Sequence, residues 1–463
     1  MNSVFSCLAS LFSSIQEVGG RPYLVGGCVR DSLLGLQSKD VDIEVHGISM
    51  EDLLKVLLKH THHVDVVGKS FGVIKAMIPE FHSYHPYMEA LDISLPRTET
   101  KAGSGHKGFD ITVDPYLGLE KAAARRDFTI NSLYMDIEGI RDPFGGQMDL
   151  KMKLLRATST QFAEDPLRVL RALSQAGRFG LSLETSTAKM CRGLLSEYHT
   201  LSKERVWGEW LKWATKSEHP SLGLQALQDS GWITLYPELE ALVGVPQDPE
   251  WHPEGNVWVH TKLVCDAAAS IADRDKLSKE HRATLVFAAL CHDLAKPACT
   301  AHENGRITSK GHEKAGEQPT IELLQRMGYP KPKKTLGTLL GEIVPLVTNH
   351  LAHCSLGSPP SIKGVRKLST KANIEMLARL VEADHSGRPP IPPHMPAGMR
   401  DILQISRELK IGESPPPKII TGAVLLQKGY APGKEMGALI QRAYAAQING
   451  EFDSLESALV WLG

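Results

Sequence analysis

The hydrophobic period of this chain changes once, near residue 150, and does not change back. Before that point short β-rich runs, 22-PYLVGG-27, 40-DVDIEV-45, 72-GVIKAMI-78 and 91-LDISL-95, alternate with helical stretches such as 50-MEDLLKVLLKH-60. From about residue 155 apolar residues recur at i, i+3 and i+4, as in 166-PLRVLRALSQAGRF-179, 262-KLVCDAAASIA-272 and 283-ATLVFAALCHDLAK-296. That order specifies an α+β protein: a mixed head over residues 1–155 and an all-α remainder. A length of 463 residues exceeds one compact core. The helical part reads as a neck and body over 156–245, a second helical domain over 246–390 and a tail over 391–463. Two Pro-rich stretches, 388-RPPIPPHMP-396 and 415-PPP-417, punctuate its end as turns or linkers.

Composition excludes more than it specifies. The seven cysteines never form C-x-x-C, which argues for reduced thiols against a disulfide framework or a zinc ribbon. The longest apolar stretches, such as 285-LVFAALC-291, fall far short of a membrane span. The N-terminus, MNSVFSCLASLFSSIQEVGG, lacks a positive flank and reads as an amphipathic first helix, so the cytoplasm is the expected compartment. A net charge of −1 gives no bulk attraction to nucleic acid, so an RNA partner would need a local basic patch.

The densest chemical signal is 24-LVGGCVRDSLLGLQSKDVDIEV-45. A strand ends at Gly26-Gly27, a helix carrying Arg30 follows, and Asp40 and Asp42 come on a second strand. Residues i and i+2 of a strand share a face, so the two carboxylates can share one Mg²⁺ while Val41 and Ile43 face a core. Gly26 and Gly27 let backbone approach a triphosphate at a helix N-terminus. An isolated D-x-D is most often a solvated edge and a lone G-G a turn. In this order and spacing they resemble the polymerase-β nucleotidyltransferase superfamily, and within it the class II CCA-adding enzymes and bacterial poly(A) polymerases.

Further motifs follow in that family's order. The segment 95-LPRTETKAGSGHKGF-109, with Arg97 as a supporting residue, reads as a flexible loop; the resemblance makes it the mobile loop that switches the site from C to A. In 125-RRDFTINSL-133 the resemblance implies nucleotide contacts from Arg126 and Asp127, with Asn131 nearby. Asp127 would accept from a ribose hydroxyl, or cap a helix starting at Phe128. In 163-AEDPLRVLRAL-173, Asp165 can cap a helix that Pro166 opens. Arg168 lies beside Asp165 on that helix, and an acceptor next to a donor matches the edges of cytosine and adenine but not of guanine and uracil. The resemblance assigns this base reading to Glu164, Asp165 and Arg168 as an E-D-x-x-R motif, with Arg171 continuing the face. Glu204 and Arg205, in 202-SKERVWGEWLK-212, read as braces. The resemblance implies CTP, ATP and the tRNA 3′ end as partners. It disfavours a poly(A) polymerase, since a G-R-R-F run is replaced by 67-VGKSFGVIK-75, and leaves an A-only enzyme open.

The helical half carries a second pattern. His260, the adjacent pair His292-Asp293 and Asp384 occur in the order H…HD…D, and burying His beside Asp on an apolar helix demands partners. Imidazole with carboxylate is a plausible divalent-metal set. The order resembles the HD phosphohydrolase superfamily, which implies these four as ligands of a divalent metal of unspecified identity. Lys296 extends the C-H-D-x-x-K pattern, and His312 and His350 are further ligands or substrate contacts.

Overall fold

The structure is a computed structural model describing residues 2–38, 40–61, 63–67, 73–84, 91–101, 109–330 and 338–463. The chain forms two compact units, the first Met1–Glu209 with Leu222–Trp232, the second Trp210–Ser221 with Ile233–Gly463.

The first unit opens with α1 (Asn2–Glu17), amphipathic as expected, with Leu8, Leu11 and Ile15 fully buried. A sheet follows, built from β1 (Arg21–Val25), β2 (Asp42–His46), β3 (Val64–Val67), β4 (Val73–Ala76) and β5 (Leu91–Ser94). A separate ribbon of β6 (Arg97–Lys101) and β7 (Phe109–Val113) precedes β8 (Tyr134–Asp136) and β9 (Gly139–Arg141), which return to the sheet. The sheet order is β3-β4-β5-β2-β1-β8-β9. Of its pairings only β2 with β5 is parallel, and that register sets Asp42 opposite Asp92. Leu24, Ile43, Val45, Ile74 and Ile93 form the buried centre, and α2 (Gly27–Leu33) and α3 (Met50–His60) fill the crossovers.

Three local expectations are corrected. Residues 97–101 and 109–113 are an antiparallel ribbon, not loop, with Arg97 opposite Val113. Thr98 and Thr112 pair across it, so the β signal lay in threonines outside any aliphatic period. The rest of that expected loop, 102–108, and residues 68–72 of the segment 67–75 lie outside the described residues. Asp40 precedes the strand, which opens at Asp42; the Ser38 hydroxyl donates to the Asp40 carbonyl (2.7 Å), and Val41 is buried. No helix starts at Phe128; Thr129–Asn131 is one 3₁₀ turn.

The chain beyond is largely helical. α4 (Leu167–Phe179) buries one continuous face and ends at Gly180, whose φ of 66° suits the left-handed C-cap. α5 (Lys203–Lys216) follows. In the second unit α6 (Val257–Arg274), α7 (Lys279–Cys291), α8 (Leu339–Asn349) and α9 (Ile374–Ser386) pack together. Trp213 stacks near Phe287 of α7, with ring centroids 6.0 Å apart, and Trp210 lies edge-on to Tyr236. Strand is minor here, a hairpin of Ala301–Glu303 and Arg306–Thr308. No helix among the described residues is long and apolar enough to cross a membrane.

Candidate functional site

In the head, Gly26 ends β1 at φ 71°, a conformation that L side chains rarely adopt. A Cβ built there would stand 4.0 Å from an Asp42 oxygen and 3.8 Å from the Arg126 guanidinium, so the glycine lets backbone run beside both. Gly27 opens α2. Asp42 is pushed up to about 6, first by burial and then by the facing Asp92, with exposed Asp40 adding repulsion. Asp92, which the sequence reading passed over inside 91-LDISL-95, is the third carboxylate, held 3.3 Å from Lys75 of the next strand. Arg126 and Lys75 offset the repulsion among these acids only in part, since Asp42 stays raised, and a divalent metal would stabilise the set further.

Behind Asp42 the same face of β2 carries Glu44 and His46. Glu44 is almost fully buried and accepts from Arg126 (3.2 Å), Arg125 (3.4 Å) and His46 (3.0 Å). Burial alone would raise its pKa, but Arg126, His46 and Arg125 hold it well below the usual range. Arg126 also donates to the Asn131 carbonyl and lies over the Tyr134 ring.

Asp127 is the hub of a second network. One oxygen accepts from Phe128 N (2.8 Å) and Asn131 Nδ2 (2.9 Å), the other from Arg171 Nε (2.7 Å) and Gln175 Nε2 (3.1 Å). Its burial is outweighed by Arg171 and these hydrogen bonds, which hold the carboxyl at about 2. Four donors occupy its lone pairs in this arrangement and tie the 127–131 turn to Arg171 and Gln175 of α4. Arg30 joins the network by donating to Asn131 Oδ1 and to Asp31.

The expected base-reading residues, Asp165 and Arg168, meet separate partners. Asp165 follows the Thr160–Glu164 turn and accepts from Leu167 N (3.1 Å), so the capping role holds. Its other oxygen pairs with Arg205 of α5 (2.7 Å), the residue expected as a brace. Arg168 donates to the carbonyls of Gln161 (2.6 Å) and Arg125 (2.5 Å). The Asp165 and Arg168 side chains therefore share a helix end without pairing, each oriented by its own partner.

In the second unit, helix termini gather the histidines. His292 and His350 each stand one residue beyond a helix, α7 and α8, where last-turn carbonyls lack amide partners. Their Nδ1 groups donate to Ala289 O and Val347 O (both 2.7 Å), and His312 Nδ1 donates to Ser309 O (2.6 Å). That fixes the proton on Nδ1 and turns each Nε2 inward. His260 Nε2 lies 3.3 Å from His292 Nε2 and 3.1 Å from Asp384 Oδ1. His312 Nε2 lies 3.2 Å from His350 Nε2 and 3.1 Å from Asp293 Oδ1. Burial pushes His350 down to about 3, so it is neutral and offers a bare lone pair. Burial works against the charged carboxylates of Asp293 and Asp384, yet His292 and Lys296 for one and Arg388 and His260 for the other hold both well below the usual range. Among the described residues the candidate ligand atoms fall in three groups, His252–Glu254–His260, His260–His292–Asp293 and Asp293–His312–His350, with His260 shared by the first two and Asp293 by the last two. Converging lone pairs with buried carboxylates fit a divalent cation.

These geometries can be set beside known proteins. Residues 22–156 match the Poly A polymerase head domain family. The multifunctional CCA protein of Vibrio parahaemolyticus is 36% identical over 376 residues, covering 79% of this chain and 85% of that protein. That of Acinetobacter baumannii is 34% identical over 409 residues, covering 85% and 91%. The chain belongs to the multifunctional CCA protein family. Another such protein, from Pasteurella multocida, is 42% identical over 315 residues, 66% of this chain and 70% of its own length. The fold agrees with the Bacillus stearothermophilus CCA-adding enzyme in complex with CTP, with a TM-score of 0.65 at 20% identity over 100% of this chain and 97% of that one.

Within this chain the sequence reading missed Asp92, Glu44 and Gln175. Asp92 carried a usable signal, a lone acid in a β-rich run downstream of D-x-D. Glu44 carried another, a charge two places after Asp42 on a strand that must be buried.

Proposed function

We propose that the head adds C, C and A to the 3′ end of tRNA from CTP and ATP, without a template and with release of pyrophosphate. The parallel β2–β5 register carries this reading, because it sets Asp42 against Asp92 beside the Gly26 turn. Asp40, Asp42 and Asp92 would hold Mg²⁺, which neutralises triphosphate charge and activates the 3′-hydroxyl. Glu44 holds Arg126 at the site, and Asp127 holds Arg171 and Asn131, so the cationic donors meet a triphosphate already oriented. Asp165 and Arg168, supported by Glu164, read the base edge and leave guanine and uracil with mismatched polarity. The test is tRNA ending at its discriminator base, incubated with CTP and ATP separately and together. Two C residues from CTP and CCA from the mixture are expected. A single A added only to a CC end, or a long A tract, overturns the full CCA reading.

The second unit is proposed as a metal-dependent phosphohydrolase. His260, His292, Asp293 and Asp384, with His312 and His350, would hold the metal, and the facing Nε2 atoms of His312 and His350 favour this reading. The metal supplies Lewis acidity toward a phosphoester. Lys296, 2.8 Å from Asp293, contributes a cation for the same charge. Release of phosphate, or opening of a 2′,3′-cyclic nucleotide, under added divalent metal checks it, and inactivity with every such metal overturns it.

A further inference from the structure

One buried acid beside this cluster has no part in the reading above. Glu254 lies on the turn before α6, its side chain only 1% exposed. Its Oε1 stands 2.7 Å from Nδ1 of His260 and 2.9 Å from Nδ1 of His252. The contact to His252 is a hydrogen bond, and that to His260 a close charge approach lying off the in-line direction. The three other inward-facing histidines place Nδ1 against a backbone carbonyl of a helix end or turn. His260 sits in the first turn of α6, where no preceding helical turn offers such a carbonyl. Glu254 Oε1 is the carboxylate oxygen that approaches this nitrogen instead, without the in-line geometry the carbonyls have.

The turn is built to hold the acid there. Gln247 donates to Gly255 O (3.1 Å) and accepts from Lys296 (2.7 Å), which itself meets Asp293. Arg306 pairs with Asp248 (3.2 Å) and Glu250 (2.7 Å), and the Asn256 side chain caps α6 through Val259 N (3.1 Å). An anion buried this deeply is retained only where charged or donor groups meet it; here His252 Nδ1 donates to Oε1 and His260 Nδ1 stands 2.7 Å from the same oxygen.

We propose that Glu254 is a positioning residue of the metal centre, keeping the His260 proton on Nδ1 so that Nε2 is the ligand atom. A carboxylate in this place also strengthens the ring as a donor, which a backbone carbonyl does less. The inference rests on reading the His–Asp cluster as a metal centre.

The test uses the full chain and Co²⁺ alone, whose visible spectrum reports imidazole ligation and separates this cluster from the head carboxylates. Glu254→Ala is expected to weaken Co²⁺ binding about 10–100-fold. Glu254→Gln, which keeps an acceptor without the charge, should fall between it and wild type. CCA addition should be unchanged in both. Wild-type Co²⁺ affinity in Glu254→Ala overturns the proposal, and if that variant does not fold, wild-type affinity in Glu254→Gln does so. Asp293→Ala is the separate control: if it keeps wild-type affinity and spectrum, the metal-centre reading falls and the Glu254 role with it.

Discussion

At the scale of single residues, the chain treats its buried acids in two opposite ways. Asp127, Asp293 and Asp384 are each met by cations and donors, whereas Asp42 faces Asp92 and is pushed up to about 6 from 3.8. The folded chain therefore binds a proton at Asp42 more tightly than the unfolded chain. Its charge costs stability above pH 6, and that cost vanishes as the pH falls to about 4. Asp42→Asn should then abolish nucleotide addition yet stabilise the metal-free protein at pH 8 by about 1–3 kcal/mol. Melting curves in chelator at pH 8 and pH 4 check the sign, and an Asn variant less stable than wild type at pH 8 rejects the account. Arg168 gives a second test at this scale. Its bonds to the Arg125 and Gln161 carbonyls aim it from the helix end where Asp165 sits. Removing a charged donor worth about 1.5–3 kcal/mol should cost about one to two decades of discrimination. Arg168→Ala is therefore expected to incorporate UTP and GTP far more readily relative to CTP and ATP. A slower enzyme with unchanged preference would leave Arg168 as a structural clamp only.

At the scale of elements, what could be read from sequence was what neighbours in sequence decide. The strand that carries Asp42, the Asp165 cap and the amphipathic helices depend on residues a few places apart, and each formed near its expected position, though the strand leaves Asp40 out. Asp92 joins Asp42 only through the parallel pairing of β2 and β5, and Arg205 reaches Asp165 from another helix. No local spacing announces either. The 97–101 strand was lost because its pattern is Thr and charge, so an aliphatic period could not see it. The histidines of the second unit were legible by type, but the helix-end carbonyls that set their tautomers were not. Element packing also gives a test that touches no ligand. Gly387 ends α9, and a Cβ there would come within 2.6 Å of the Val264 side chain and 2.9 Å of Val264 N on α6. Those two helices bring Asp384 to His260. Gly387→Ala should push them apart, costing about 1–3 kcal/mol through overpacking and reducing hydrolase activity. CCA addition should persist, and a variant with full hydrolase activity and wild-type stability would show that this crossing has slack.

At the scale of the whole molecule, the two candidate sites fall in different compact units, the nucleotidyl-transfer acids in the first and the His–Asp cluster in the second. A ligand that binds only the folded state stabilises it by RT ln(1 + [L]/Kd), about 2.7 kcal/mol at a hundredfold excess over Kd. For units of this size each kcal/mol moves the midpoint by about 2–4 °C. Metal at the helical cluster should therefore raise the transition of the second unit by roughly 5–10 °C over the chelated protein. Asp293 joins the His260–His292 group to the His312–His350 group, so Asp293→Ala should remove that dependence and the hydrolase activity together while CCA addition stays intact. Asp42→Asn should do the reverse, losing addition and keeping the metal-dependent transition. Calorimetry with and without chelator, run beside both activity assays, separates these outcomes. Loss of CCA addition in a well-folded Asp293→Ala chain would mean that the two sites are energetically coupled, against the independence that their separate networks of side chains imply.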